Sequence, residues 1–388
     1  LVYPSVCLSG CLSVCLSPSV CLTVALSIDP CVCTFFSPHC LSLSLSPSVC
    51  LSFSPLSVSP LVLCLSLCLS APHPRYRLRP RCLRDVSHRD TSCSVLGHRL
   101  AFPVAVSPTA FHHKVHYNGE METVQGVSGA GTAMVLSMWA SKSLEDVRKA
   151  AGQHTPLFLQ FNFITDKSIM VQMVRRAEDN GYSALFVSID QPLIGRKFYY
   201  SNWSLRVPPG EVYPQLCKPG EIGQRDGANI DMDRSATWAD VTWLRSITSL
   251  PIVAKGVLTA EAAREAVSHG VAGIVVSNHG GRQLDGVPAT IDVLAEVVEA
   301  VRGSGVEVYL DGGIRKGTDV LKALALGARA VFIGRPALWG LAYDGARGVT
   351  KLLGLLKEEL SVAMALSGCA SISDITPDLI TKSPCCKL

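Results

Sequence analysis

The feature that most constrains this chain is a rhythm. From residue 103 onward, short apolar runs alternate with amphipathic stretches at a spacing of roughly 20–30 residues, the period of a strand plus a helix. The runs are PVAVS (103–107), TAMVLS (132–137), LFLQF (157–161), ALFVSID (184–190), PIVAK (251–255), GIVVSN (273–278), VEVYLD (306–311) and AVFIG (330–334). They are largely β-branched or aliphatic and lack a clean polar alternation, as strands buried on both faces of a parallel sheet do. Between them, LEDVRKAAG (144–152), MVQMVRRAEDNG (170–181), TAEAAREAVSHG (259–270) and GTDVLKALALG (317–327) read as helices, each stopped by Gly. Thr259 suits the N-cap of the third. Eight such units in unbroken succession predict an α/β fold, a (β/α)8 barrel. A doubly wound open sheet is the competing fold, but eight strands would make it unusually wide. One long gap, 191–250, opens with Pro, Gly and aromatic residues and reads as an active-site loop or lid. ATWADVTWLRSI (236–247) then supplies the fourth helix.

Residues 1–72 do not share this rhythm. They are nearly all Leu, Ser, Val, Cys and Pro, with Asp29 the single charged residue. PSVCLS occurs at 4–9 and 47–52, and PSVCLT at 18–23, which marks low complexity and not a structural repeat. Ser and Pro interrupt every window long enough to span a bilayer. No basic region precedes the apolar stretch, as a secretory signal requires. One histidine, His39, and no repeated CxxC pair argue against zinc. The segment resembles a translated simple repeat, and the chain does not begin with Met. It is expected to be disordered or poorly packed, with a barrel domain spanning 73–388.

Ten of the 16 cysteines lie in that segment, and the rest are scattered apart from Cys385 and Cys386, as in a reducing compartment. Net charge is +4 with no long basic run, so no nucleic-acid partner is expected. No membrane-docking element is apparent in the barrel region either.

In a (β/α)8 barrel, chemistry gathers at the C-terminal ends of the strands. The sixth run leads into SNHGGRQLDG (277–286), where His279 can act as a base near neutral pH and Arg282 can grip a carboxylate with two parallel hydrogen bonds. A strand-capping His and a surface Arg are the bland alternative. Lys255 ends the fifth run, where its charge can stabilise an anionic ring or simply serve an ion pair. DGGIRKGTD (311–319) and IGRP (333–336) place Gly-rich turns with Arg315 and Arg335 after the seventh and eighth runs. That is the usual phosphate site of such barrels. Thr109, Ser137, Gln160, Ser188 and Asp190 add polar groups at the first four ends.

LPIVAKGV, GIVVSNHGGRQLDGVPATIDVL, VYLDGGIRKGTDVLKALALGARAVFIGRP and MALSGC together resemble the FMN-dependent 2-hydroxy-acid oxidases, the family of glycolate oxidase and the longer-chain 2-hydroxy-acid oxidase. LRPRCLRDVS and GEMETV extend the resemblance over about residues 76–383, with a lean toward the longer-chain member. The resemblance implies oxidation of a small 2-hydroxy acid to a 2-oxo acid, with FMN as cofactor and oxygen reduced to hydrogen peroxide. His279 would be the base and Asp190 its partner. Arg282 would bind the substrate carboxylate, and Trp139 would line the pocket. Ser137, Gln160, Ser188, Lys255 and Ser277 would contact the flavin, with backbone contacts from Thr109 and Ala110. Asp311, Gly313, Arg315, Gly334 and Arg335 would hold the ribityl phosphate. A homotetramer is the family's common assembly.

Three departures from the family pattern stand out. Residues 1–72 lack the N-terminal helices and their substrate-contacting Tyr. Asn162 stands where the family has Tyr, and Lys197 where it has Arg, both at substrate-binding positions. Readings of other kinds are therefore an FMN-binding barrel with weak or no catalysis, and a flavin dehydrogenase passing electrons to another acceptor. Flavin bleaching by substrate separates the first, and a peroxide assay the second. The chain ends Cys386-Lys387-Leu388, a variant of the Ser-Lys-Leu address, so a peroxisomal location and an import receptor at the C-terminus are expected.

Overall fold

A computed structural model of the protein describes residues 11–17, 20–25, 76–193, 213–217 and 231–382. The eight apolar runs become eight strands: β1 (Val104–Val106), β2 (Met134–Ser137), β3 (Leu157–Asn162), β4 (Leu185–Ser188), β5 (Ile252–Val257), β6 (Gly273–Val276), β7 (Glu307–Asp311) and β8 (Ala330–Ile333). They form a closed barrel in which every neighbour is parallel and β8 returns to β1. Helices follow each strand: α1 (Glu120–Ala130), α2 (Leu144–Ala150), α3 (Lys167–Asp179), α4 (Trp238–Ile247), α5 (Ala260–Ser268), α6 (Thr290–Ala300), α7 (Gly317–Ala325) and α8 (Arg335–Leu366). α8 is broken at Asp344 and Gly345, whose backbones are not helical. Thr259 caps α5 by accepting from the Ala262 N–H, as its sequence position suggests.

Strand residues alternate between two cores. Leu157, Leu159 and Phe161 of β3 face the helices, as do Leu185 and Val187 of β4 and Val308 and Leu310 of β7. Phe158, Phe186 and Tyr309 point inward and meet Ala105, Val135, Val253, Val275 and Phe332 in a separate cluster that fills the barrel. Phe158 stacks on Phe186 at 5.3 Å between ring centres, and Phe186 meets Phe332 edge-on at 5.6 Å. A hairpin, Cys93–Val95 with His98–Leu100, adds Val95 and Leu100 to this inner cluster. A second ribbon pairs Tyr76–Leu78 with Ile380–Lys382.

The interior changes character one pleat further up. The next inward residues are Ser107, Ser137, Gln160, Ser188, Lys255, Ser277 and Asp311, and all are buried. Register holds this layer level: Ser137 pairs with Gln160, and Ser188 with Lys255. A buried polar layer above an apolar plug is unfavourable unless its groups bond to one another or to a ligand.

Within residues 1–72, an antiparallel pair joins Cys11–Ser17 to Val20–Ala25. Val, Leu and Cys dominate both strands, and Pro18 falls between the strands and not within them. The remainder of 1–72 lies outside the described residues, as do Lys197 and Cys386-Lys387-Leu388. Among the described residues, no helix is long and apolar enough to cross a membrane, and no cluster of His, Cys, Asp or Glu is suited to a metal.

Candidate active site at the mouth of the barrel

Two hydrogen-bonded groups make up the polar layer. In the first, Ser137 Oγ donates to Gln160 Oε1 at 3.1 Å, and Gln160 Nε2 donates to Ser188 Oγ and Asn162 Oδ1, both at 3.1 Å. Asn162 Oδ1 also accepts from Trp139 Nε1 at 3.4 Å, while its Nδ2 donates to Gln191 Oε1 at 3.3 Å. Each polar atom of the Asn162 amide therefore has a protein partner. In the second group, Lys255 Nζ lies 3.0 Å from Asp311 Oδ2 and 3.0 Å from Ser277 Oγ. Ser107 Oγ lies 3.4 Å from the same Asp311 oxygen.

His279 stands above this layer. Its Nδ1 is 3.1 Å from Asp190 Oδ2 and 3.2 Å from Oδ1. A carboxylate at Nδ1 demands N–H there, which leaves Nε2 as the ring's proton acceptor. The backbone of His279 is left-handed (φ 57°), a conformation uncommon outside Gly, and its N–H donates to Ser277 Oγ at 3.1 Å. Burial and the Lys255 charge hold the His279 pKa below its ordinary value, against the opposing pull of Asp190. Burial disfavours the charge on Asp190, but hydrogen bonding and attraction from His279, with the charge of Lys255, outweigh it and keep the carboxyl ionised. The pair is thus a neutral imidazole on an ionised carboxylate.

Two further contacts seat the Asp190 turn. A Cβ on Gly256 (φ 115°) would stand 2.6 Å from both Cβ and Cγ of Asp190, so only Gly fits β5 at this point. Gln283 Nε2 donates to the carbonyls of Asp190 at 3.0 Å and Leu193 at 2.9 Å.

Arg282 Nε donates to the His279 carbonyl at 2.9 Å, and an Arg335 terminal nitrogen donates to the Gly280 carbonyl at 2.9 Å. Burial, then the charges of Arg282 and Arg315, push the Arg335 pKa down to about 10. Burial also lowers that of Arg315. Three cations held this close favour an anion among them. Arg315 Nε and Asp311 Oδ1 are buried without a hydrogen-bond partner. Gly313 lies in the turn between these two residues, with φ 81°. Gly334 precedes α8, and a Cβ there would be 4.0 Å from Thr109 Oγ1. Thr109 Oγ1 itself donates to the Ser107 carbonyl at 3.1 Å, and Ala110 follows it on the same rim. An orphaned donor, an orphaned acceptor, clustered guanidiniums and a helix N-terminus suit a phosphate with a hydroxylated chain, and so fit FMN.

Several residues of this mouth escaped the reading of the sequence. Ser107, the inward residue after Ala105, is the polar end of its run and was passed over. Phe111, Glu120, Gln191, Tyr213, Gln215 and Gln283 lie on loops, in a single 3-10 turn (Pro214–Leu216) or at a helix start, where no period marks them.

The fold and rim define a flavin-binding α/β barrel with a His–Asp pair at its mouth. The chain belongs to the FMN-dependent dehydrogenase family, whose model matches residues 71–382. It is 49% identical to 2-hydroxyacid oxidase 1 of Mus musculus over 321 residues, covering 80% of this chain and 86% of that protein. It is 46% identical to glycolate oxidase 3 of Arabidopsis thaliana over 310 residues, covering 78% and 83%. Among solved structures, mandelate oxidase with (S)-2-phenylpropionate superposes with a TM-score of 0.69 at 39% identity, covering 80% of this chain and 86% of that one. A mandelate oxidase variant with a monooxide FMN adduct gives 0.68 at 38% identity, covering 82% and 89%.

Proposed function

We propose that this protein oxidises 2-hydroxy acids to 2-oxo acids with FMN, oxygen being reduced to hydrogen peroxide. The observation that carries the reading is the His279–Asp190 pair with Arg282 three residues along the same turn, above the Ser137–Gln160–Ser188 and Lys255–Ser277–Asp311 groups. Arg282 holds the substrate carboxylate. His279 takes the substrate's proton on Nε2, and Asp190 orients the ring and stabilises the imidazolium that forms. Lys255 places positive charge beside the polar rim that holds the isoalloxazine ring. Bound FMN supplies the two-electron acceptor and its reoxidation by oxygen. Anaerobic mixing with a 2-hydroxy acid should bleach the flavin, and admitting air should restore its colour with one peroxide per turnover. Colour that persists with every hydroxy acid would leave a flavin-binding barrel without this activity. Bleaching without peroxide under air would point to another electron acceptor.

Two further features belong to the same reading. The Cys386-Lys387-Leu388 ending supports delivery to the peroxisome by an import receptor, beside the enzymes that remove peroxide. A fluorescent protein fused ahead of the last residues should give peroxisomal puncta that disperse when Leu388 is deleted. Diffuse signal with the intact tail would reject the address. Family resemblance supports a homotetramer, which sedimentation of the purified flavoprotein measures directly.

A further inference from the structure

Three loops meet on one side of the mouth, and each contributes one aromatic ring. Phe111 comes from the β1–α1 loop, Trp139 from the β2–α2 loop and Tyr213 from the β4–α4 connection. Tyr213 stands between the other two, edge-on to Phe111 at 5.8 Å and to Trp139 at 5.4 Å. The Trp139 indole N–H reaches Asn162, which joins this row to the Gln160 network.

Beneath the row lie two buried polar clamps that neither the redox step nor flavin binding uses. Glu120, fully buried at the start of α1, accepts through Oε1 from the His112 N–H and the Ser141 N–H, both at 3.1 Å. Its Oε2 accepts from Ser141 Oγ at 2.5 Å. One carboxylate therefore ties the residue after Phe111 to the residue two beyond Trp139. The fit is close: a Cβ on Gly119 (φ 52°) would stand 3.0 Å from the His113 nitrogen and 3.1 Å from Ser141 Oγ. His112, also buried, adds a contact from Nδ1 to Thr123 Oγ1 at 2.9 Å. From the third loop, buried Gln215 donates through Nε2 to the carbonyls of Ala140 at 3.3 Å and Lys142 at 2.9 Å. These carbonyls flank Ser141, the residue that Glu120 holds from the other side.

We infer that Glu120 and Gln215 are positioning residues that fix Trp139 against Tyr213 and Phe111, and so set the width of the substrate mouth. A buried carboxyl group that accepts from two backbone N–H groups and a hydroxyl is a stiff joint, because releasing any of these leaves buried polar atoms without a partner. Three loops on separate strands would otherwise move independently. The inference rests on the hydroxy-acid reading above for what the mouth receives. The positioning itself concerns only this chain.

Two readouts keep those parts separate. The first is the Trp139 indole N–H resonance of the full chain, assigned among five tryptophans by its loss in Trp139→Phe. Ser141→Ala and Gln215→Leu should each shift it, and Glu120→Ala should shift it further. Glu120→Gln should leave it in place, since the amide oxygen still accepts both N–H groups and the amide nitrogen can donate to Ser141 Oγ. The second readout is steady-state kinetics of the flavin-loaded enzyme with a short aliphatic and an aryl 2-hydroxy acid. Ser141→Ala and Gln215→Leu should change the ratio of the two KM values at least threefold, and Glu120→Ala about tenfold. Glu120→Gln should restore the ratio, and kcat should stay within threefold throughout. If Glu120→Ala does not fold, Ser141→Ala and Gln215→Leu carry the test. An unmoved indole signal in both of those variants would overturn the positioning role. A moved signal with unchanged KM ratios would overturn the link to mouth width. Absence of flavin bleaching in the wild type would instead defeat the hydroxy-acid reading.

Discussion

Gly256 and Asp190 occupy space that a side chain at residue 256 would contest. A Cβ there would come within 2.6 Å of Cγ of Asp190, and the left-handed φ of 115° adds strain for any other residue. Gly256→Ala should therefore displace the carboxylate that orients His279, while leaving the neighbouring flavin rim populated. We expect a loss in flavin reduction on the order of 10²-fold, toward the low end of what a positioned base supplies. Rapid-mixing reduction at the wild-type rate would show that the Asp190 turn adapts without cost.

The His279 pKa is held low by burial and by Lys255, with Asp190 acting in the opposite direction. A base works only when neutral, so kcat/KM should fall on the acid side, with a midpoint below the ordinary histidine value of about 6.5. Lys255→Met removes a neighbouring positive charge, which raises the His279 pKa and moves that midpoint to higher pH. Asp190→Asn removes the stabilising negative charge and moves it to lower pH, with slower turnover. Shifts in the opposite sense would remove His279 as the titrating base. His279→Ala should keep the flavin and lose reduction by about 10²–10⁴-fold or more.

Burial first, and then the charges of Arg282 and Arg315, hold the Arg335 pKa near 10. Arg315→Ala with Arg335→Ala should weaken FMN binding by about 3–6 kcal/mol, the sum of two charge-assisted hydrogen bonds. Melting of the protein without added FMN should change much less, since a mutual repulsion disappears along with the packing. Fluorescence titration with FMN and parallel melting curves measure both. Undiminished flavin affinity would relocate the phosphate site.

Asn162 bridges Gln160 to Trp139 through Oδ1, and its Nδ2 donates to Gln191. Asn162→Ala should raise KM severalfold with little change in flavin content, because the Trp139 N–H loses its acceptor. Asn162→Tyr restores the family phenol, and we expect it to tighten substrate binding above wild type. If the phenol weakens binding as much as Ala does, the amide bridge is an adaptation of this chain.

Inside the barrel, Phe158 is fully buried between His98 and Phe186. Phe158→Ala should cost about 3–5 kcal/mol by leaving a cavity that the surrounding strands cannot close. Denaturant unfolding reads this directly, and a cost under about 1 kcal/mol would mean that the inner cluster repacks.

All eight barrel strands coincide with the apolar runs read from the sequence, because a strand buried on both sides has no polar face to blur the signal. The same property hid their parity. Phe158 faces the barrel and Leu159 the helices, yet both environments are apolar and hydropathy cannot separate them. Toward the C-terminal ends of the strands polarity breaks at inward positions, as at Gln160, Lys255 and Asp311, and these were the residues that the sequence made conspicuous. Phe111, Glu120, Tyr213 and Gln215 gave no such sign, because a loop has no period and its residues gain meaning only from neighbours.

By itself, then, the sequence determined the number and order of the βα units, the strand ends that carry polar groups, and the family to which those motifs belong. All of these are local, set by spacing along the chain. The tertiary structure decided which of those groups meet. Asp190 and His279 lie 89 positions apart, and only the curvature of the closed barrel brings their side chains within hydrogen-bonding distance. Lys255 and Asp311 likewise face each other across the interior, on strands that are not neighbours. Strand order and closure convert separations along the chain into distances across a mouth, and short-range patterning carries no record of that conversion.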